Sequence, residues 1–347
     1  MKTTKEIKIG NVIIGGGNRI AIQSMTNTKT ADKESTLAQI KSLSASGCDI
    51  VRFTVNDMDA ANAIPYYVEN SNIPLVADIH FDYKLALAAA ERGINKIRIN
   101  PGNIGDKANI KKVADACRLQ NIPIRIGVNS GSVEKEILAK YGAPTPEAMA
   151  ESAMYHASLL EKFDFDDIVI SIKSSNVENM IKAYETVAER CSYPLHLGVT
   201  EAGTARMGLI KSSAGIGSLL MHGIGDTIRV SLTDDPVNEV YAGHDILKAL
   251  GLKSDSVQIV SCPTCGRTKI DLIGVANEVE NALRDCTKKI KVAVMGCVVN
   301  GPGEAREADI GIAGGDGCAM LFKKGEILRK IDEKDIVKEL LAEIEKL

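Results

Sequence analysis

Short apolar runs rich in valine and isoleucine recur along the first two thirds of the chain, and turn residues bound each run. Between them lie stretches with the apolar spacing of amphipathic helices, such as Lys33–Ser46, Tyr83–Arg92 and Asn109–Gln120. Strands that alternate with helices form βαβ units and therefore a parallel sheet. The runs predicted to be strands of this sheet are Arg19–Met25, Asp49–Val55, Pro74–Phe81, Lys96–Asn100, Pro123–Asn129, Asp167–Lys173, Pro194–Thr200 and Asp226–Leu232.

Eight such units match an α/β fold, a (β/α)8 TIM-type barrel, in both number and size. The longest interval between predicted strands, residues 130–166, predicts an additional helical insertion. Before the first strand, Lys5–Gly17 alternates apolar and polar residues around Gly10 and Asn11, which indicates a hairpin. We expect this hairpin to cap the barrel.

The pattern changes at about Ser254, where strands and helices no longer alternate regularly. The remaining elements predict a small α+β domain, so the expected domains are residues 1–250 and 251–347. Its predicted strands are Val257–Ser261, Lys291–Met295, Asp309–Ala313 and Cys318–Phe322, and its predicted helices lie near Asp271–Leu283 and Lys334–Lys346.

Composition and net charge limit the classes of function that the protein can have. The 347 residues are 45% hydrophobic and 25% charged, and the net charge of −3 gives no basic field for nucleic acid. The first ten residues hold no apolar signal segment, and no run of about 18 apolar residues occurs, so we expect a cytoplasmic protein without a membrane partner. In that setting the eight cysteines are expected to be reduced thiols or metal ligands.

Polar residues interrupt the predicted barrel strands at alternate positions, in the middle or at the carboxyl end. Alternate side chains share one face of a strand, and TIM barrels place their active sites at the carboxyl ends. These residues are therefore predicted to line a substrate pocket. They are Arg52, Asp78, His80, Arg98, Asn100, Arg125, Asn129, Lys173, Arg229 and Ser231.

Five members of this set are cations, whereas Asp78 and Glu201 are the acids that fall comparably late on their strands. One interpretation is an ion network satisfied within the protein, because buried charges are normally paired. The surplus of positive charge instead favours a bound anion, since unpaired buried charges are costly. Arginine binds phosphate through its two-pronged guanidinium group, so several together predict a diphosphate substrate. Glu201 is the predicted proton donor.

Cysteines mark a second site. Cys262 and Cys265 form a C-x2-C turn after one predicted strand, and Cys297 follows another. Such a turn suits zinc as well as iron. The Gly- and Pro-containing loop after Cys297 would return Glu304 toward the sulfurs, and an iron bound by carboxylate could exchange it for a substrate oxygen. This set is incomplete for structural zinc and favours a catalytic iron–sulfur cluster.

Nine motifs carry a family resemblance. They are QSMT at 23–26, DIVRFTV at 49–55, ADIHF at 77–81, RINPGN at 98–103, RIGVNSGS at 125–132, HLGVTEAG at 196–203, RVSL at 229–232, CPTCG at 262–266 and GCVVNGPGEA at 296–305. In this order the chain closely resembles the 4-hydroxy-3-methylbut-2-enyl diphosphate synthases in their short, two-domain bacterial form. The resemblance covers nearly the whole chain.

The resemblance implies a [4Fe–4S] cluster on Cys262, Cys265, Cys297 and Glu304. It also implies reductive ring opening and dehydroxylation of 2-C-methyl-D-erythritol 2,4-cyclodiphosphate, a step of non-mevalonate isoprenoid biosynthesis. Ferredoxin or flavodoxin would deliver two electrons singly, and a head-to-tail homodimer would close one subunit's cluster domain over the other's barrel. The alternatives are a phosphate-binding lyase or transferase barrel of the pterin-synthase type with a structural zinc, and a non-enzymatic electron carrier.

Overall fold

The computed structural model describes residues 3–253, 255–284, 286–299 and 307–347. Within it, the chain divides into two compact units, Met1–Ile246 and Leu247–Leu347. The first elements form a two-stranded antiparallel hairpin, β1 (Ile7–Ile9) and β2 (Val12–Ile14). Ile9 and Ile14 are fully buried against residues of the barrel strands, including Ile50, so the predicted hairpin cap is confirmed.

Eight parallel strands form the barrel of the first unit. An isolated bridge between Ile170 and Leu195 joins the two ends of the sheet, which confirms the predicted TIM-type fold. The strands are β3 (Ala21–Met25), β4 (Ile50–Thr54), β5 (Leu75–Asp78), β6 (Lys96–Ile99), β7 (Ile124–Asn129), β8 (Ile168–Lys173), β9 (His196–Leu197) and β10 (Thr227–Ile228).

Helices follow the barrel strands, and several begin at a side chain that accepts a hydrogen bond from the first helical turn. Such N-cap residues include Asp32, Asp57, Asp82, Asp106 and Asn176. The helices of this unit are α1 (Lys33–Ala45), α2 (Met58–Asn70), α3 (Tyr83–Glu91), α4 (Lys107–Gln120), α5 (Lys135–Tyr141), α6 (Pro146–Glu161), α7 (Val177–Arg190), α8 (Ala205–Met221) and α9 (Pro236–Ala249). The predicted insertion contains α5 and α6.

The second unit has a mixed sheet in the order β11 to β15, in which β11, β12 and β13 are parallel and the last two strands antiparallel. Apolar residues of the sheet pack against two helices among the described residues. The helices and strands that the structure describes in full are β11 (Gln258–Ser261), α10 (Leu272–Ala282), β12 (Lys291–Met295), β13 (Ile310–Gly315), β14 (Cys318–Lys323), β15 (Glu326–Asp332) and α11 (Ile336–Glu345).

Strand β15 was missing from the sequence prediction. It is an edge strand in which Ile331 is buried and the other six residues are exposed, including Ile327 and Leu328. The strand thus lacks the alternating burial that the prediction relied on. None of the helices in the described ranges is long and apolar enough to cross a membrane.

Candidate active site

Alternation along the barrel strands turns six basic side chains toward the barrel interior, whereas their neighbours Ile97, Ile99, Ile124 and Ile126 are buried on the other face. Five of the six are at least nine-tenths buried, and Arg229 is partly buried. We call this set the cationic cluster: Arg52, Lys96, Arg98, Arg125, Lys173 and Arg229.

Asp78 neutralises one side of the cationic cluster. Its carboxylate accepts a hydrogen bond from Arg98 Nη1 at 3.0 Å, and its other oxygen lies 3.4 Å from Arg52 Nε and 3.9 Å from His80 Nε2. Burial opposes ionisation of Asp78, but the guanidinium groups of Arg52 and Arg98 outweigh it and hold the pKa of Asp78 well below its usual range. Burial also lowers the pKa of Arg52, to about 10.

The deeper part of the cationic cluster lacks such compensation. Arg125 is fully buried, and none of its three guanidinium nitrogens has a hydrogen-bond partner among the described residues. The same holds for Lys96 Nζ and for His196 Nε2, although His196 Nδ1 lies 2.8 Å from Thr227 Oγ1. Buried donors of this kind are normally satisfied, so the barrel interior is built for an acceptor-rich ligand.

Arg229 has a partner that the sequence analysis missed. Its Nε and Nη2 donate to the two carboxylate oxygens of Glu239 on α9, at 3.2 and 3.0 Å. The sequence analysis had counted Glu201 as the second acid of the pocket, but the Glu201 residue is exposed. The second buried acid is instead Glu239, whose exposed fraction is 4%. It lies on α9, the helix after the last barrel strand, and contacts Arg229 at the carboxyl end of that strand. In the described barrel, six cations therefore face two buried carboxylates.

Three further predicted residues lie at the carboxyl ends of the barrel strands. Asn100 is buried and accepts a hydrogen bond from Gly102 N, which shapes the turn after β6. Asn129 ends β7, and its backbone N–H donates to Ser132 Oγ. Ser231 Oγ accepts a hydrogen bond from Arg229 Nη1 at 2.8 Å. These positions agree with a pocket at the strand ends, although the contacts with a substrate stay a prediction.

The insertion adds a buried pair close to this pocket, which the sequence analysis also missed. His156 Nε2 on α6 contacts Glu134 Oε1, and both side chains lie beside Gly102. Glu134 and His156 are 22 positions apart in a region with no motif, so no local pattern marks them. They therefore lie beside the Asn100 turn that follows β6.

Gly127 makes room for Arg98. A Cβ atom at this position would lie 2.4 Å from Arg98 Nε and 2.7 Å from Arg98 Nη2. Gly127→Ala is therefore expected to displace the Arg98 guanidinium from Asp78 and to weaken the binding of inorganic pyrophosphate roughly tenfold. Isothermal titration calorimetry measures this. Gly131→Ala is the control, because no atom lies within 4 Å of its Cβ position, and equal affinity in the two variants would contradict the assignment.

The cysteines lie at the ends of neighbouring strands in the second unit. Because Ser261 of β11 pairs with Val294 of β12, Cys262 and Cys297 follow at the same edge of the sheet. The backbone N–H of Gly296 donates to Cys262 Sγ at 3.2 Å. A hydrogen bond from the Arg267 backbone lowers the pKa of the exposed Cys265 thiol, which favours the thiolate form that binds metals.

These donors suit an iron–sulfur cluster chemically, since thiolates are its usual ligands. The described residues contain no group of three His, Cys, Asp or Glu side chains that could hold a metal ion as placed. Glu304, the predicted fourth ligand, lies outside the described residues. The set Cys262, Cys265, Cys297 and Glu304 therefore stays a prediction, supported by the shared sheet edge.

A TIM-type barrel with an uncompensated cationic interior defines the class of the protein, which is a barrel enzyme for an anionic substrate. The GcpE TIM-barrel domain matches residues 4–244, and the GcpE protein C-terminal domain matches residues 258–346. The chain belongs to the GcpE family.

Similar proteins match this chain over nearly its whole length. A 4-hydroxy-3-methylbut-2-en-1-yl diphosphate synthase (flavodoxin) from Clostridium perfringens is 62% identical over 344 residues and covers 99% of each chain. The protein of the same name from Caldanaerobacter subterraneus is 61% identical, and the match covers 100% of this chain and 98% of the relative. The one from Fusobacterium nucleatum is 59% identical, and the match covers 98% of this chain and 96% of the relative. These relatives support the predicted synthase function over the pterin-synthase alternative.

Solved structures show the barrel fold alone. The dihydropteroate synthase of Yersinia pestis superposes with a TM-score of 0.51 at 12% identity, covering 70% of this chain and 97% of that chain. A truncated 3-deoxy-D-arabino-heptulosonate 7-phosphate synthase from Thermotoga maritima gives 0.51 at 14% identity, covering 72% and 94%. At such low identity the likeness does not extend to the reaction.

Proposed function

We propose that this protein converts 2-C-methyl-D-erythritol 2,4-cyclodiphosphate to 4-hydroxy-3-methylbut-2-enyl diphosphate. The observation that carries the proposal is the cationic cluster, because six cations with two buried carboxylates need an anion of several charges. The names of relatives that are 59–62% identical supply the product, a hydroxymethylbutenyl diphosphate, and the family resemblance supplies the cyclic diphosphate substrate. The reaction takes up two electrons and two protons, opens the ring and releases one water molecule.

Arg52 and Arg98 are already oriented by Asp78, so they would hold one part of the diphosphate without reorganising. Arg125, whose donors are free of described partners, would bind the more deeply placed oxygens. The hairpin closes the amino end of the barrel, which leaves the carboxyl end as the entry for substrate.

Glu201 is the proposed proton donor to the leaving hydroxyl group. It follows β9 at the carboxyl end of the barrel and has a backbone φ of 50°, a left-handed conformation that non-glycine residues seldom adopt. Such backbone strain clusters at functional sites, and exposure leaves the carboxyl group accessible for exchange of protons with solvent.

Cys262, Cys265, Cys297 and Glu304 are the proposed ligands of a [4Fe–4S] cluster. When bound, it supplies the two electrons singly, and flavodoxin is the proposed donor because the relatives carry that name. A head-to-tail homodimer is proposed as well. In support, the family resemblance implies such a dimer, and Val298 and Val299, directly after Cys297, are 52% and 62% exposed.

An anaerobic turnover assay tests the proposed function. The purified protein, its reduced flavodoxin and the cyclic diphosphate are expected to give the hydroxymethylbutenyl diphosphate, detected by mass spectrometry, and no product without flavodoxin. A protein that is loaded with iron and sulfide and binds the cyclic diphosphate but leaves it unchanged would overturn the proposal.

A further inference from the structure

Lys96 stands apart from the other cations of the pocket. It is the first residue of β6, where it pairs with Val76, so it lies nearer the closed amino end of the barrel than Arg98 does. Val76 packs against the hairpin that closes this end. Lys96 is fully buried, and its Nζ has no hydrogen-bond partner among the described residues.

We propose that Lys96 is a charge-compensating residue at the floor of the pocket, neutral while the pocket is empty and protonated when a diphosphate enters. The inference rests on the anion pocket of the proposed function and adds a proton to its binding step. One proton passes from solvent to Lys96 Nζ for each diphosphate bound, and no bond of the ligand changes.

The surroundings of Lys96 favour the neutral amine in the empty pocket. Burial, followed by the nearby charges of Arg125 and Arg52, lowers the pKa of Lys96 well below its usual value. The other titratable or charged groups of the described interior are Arg98 on its own strand, Asp78 on β5, Lys173 on β8, His196 on β9, and Arg229 after β10 with its partner Glu239 on α9. Asp78 is engaged by Arg52 and Arg98, so no carboxylate among the described residues pairs with Lys96.

Lysine is suited to this role in a way that arginine is not. A guanidinium group stays charged in proteins, whereas a buried lysine readily loses its proton. The arginines would therefore provide permanent charge, and Lys96 would add charge when the anion arrives. An incoming diphosphate replaces the repulsion from Arg125 and Arg52 by attraction, which favours the ammonium form.

Protonation of Lys96 makes the affinity for the diphosphate depend on pH in a defined direction. A group whose pKa is raised by ligand binding takes up a proton over the pH range between its pKa in the empty pocket and its pKa in the complex. Within that range the affinity for the diphosphate falls by about tenfold for each unit of rising pH, for one proton taken up. Above the range, this contribution of Lys96 to binding is lost.

Calorimetric titration with inorganic pyrophosphate, in buffers of different ionisation enthalpy, measures the protons taken up. Lys96→Met is expected to take up about one proton less than the wild type, and to bind pyrophosphate roughly tenfold more weakly. Proton exchange by pyrophosphate itself is common to both proteins, so their difference reports Lys96. Lys96→Met should also raise the Tm of the ligand-free protein, because an unpaired buried amine is replaced by an apolar side chain of similar length.

Three results would overturn this inference. Equal proton uptake by wild type and Lys96→Met, with pyrophosphate bound by both, would refute the role of Lys96 and leave the proposed function intact. Absence of pyrophosphate binding to the wild type would refute the anion pocket itself and the inference with it. Lys96→Arg, which keeps a permanent charge, should bind pyrophosphate without the extra proton uptake, and wild-type uptake in this variant would also refute the role.

Discussion

Asp78→Asn is expected to lower the free energy of unfolding by about 3–5 kcal/mol, because it removes the carboxylate that compensates two buried guanidinium groups. The amide keeps the shape of the side chain, so the effect reports charge and hydrogen bonding rather than a cavity. Chemical denaturation followed by circular dichroism measures it. Asp166→Asn, which breaks an exposed ion pair with Lys5, should cost under about 1 kcal/mol.

The stabilisation by Asp78 is also expected to depend on pH. The pKa of Asp78 in the folded protein lies well below its unfolded value of about 4, so its carboxylate stabilises the fold above that pH. This contribution is lost as the pH falls from about 4 toward the folded pKa. The difference in stability between wild type and Asp78→Asn should therefore shrink in acid. A difference that stays constant from neutral pH into acid would contradict the buried ion pair.

Cys297→Ser is expected to abolish both iron binding and turnover, because a serine hydroxyl is a poor substitute for a thiolate at iron. The barrel should remain folded, since the substitution lies in the second unit. Iron and acid-labile sulfide are measured after anaerobic purification, together with turnover. Cys318→Ser is the matched control in the same unit, at the start of β14, and should keep its iron. Wild-type iron content in Cys297→Ser would remove Cys297 from the ligand set.

Sequence reasoning predicted the barrel well because its strands are buried apolar runs separated by amphipathic helices. The strands β9 and β10 have two residues each, so the structure shortens the predicted Pro194–Thr200 and Asp226–Leu232 without moving them. The exposed strand β15 could not be predicted, because edge strands facing solvent need few apolar residues.

The site was predicted less completely than the fold. Alternation along β6 and β7 located Arg98 and Arg125, because each polar residue interrupts an apolar run. The same rule applies to Lys96, which shares the face of Arg98, but its place at the start of the strand resembles an ordinary charged boundary residue. Glu239 could not be predicted, because its contact with Arg229 depends on how α9 returns to the barrel.

The proposed function requires electron transfer from the proposed cluster to the diphosphate proposed to bind in the barrel. Electron paramagnetic resonance of the anaerobically purified, reduced protein, with and without the cyclic diphosphate, tests it most directly. We expect a cluster signal that changes when the substrate is added, and loss of the change in Arg125→Met, which removes the buried donors proposed to bind the diphosphate. A protein that contains zinc in place of iron, or a cluster signal unaffected by bound substrate, would contradict the proposed function.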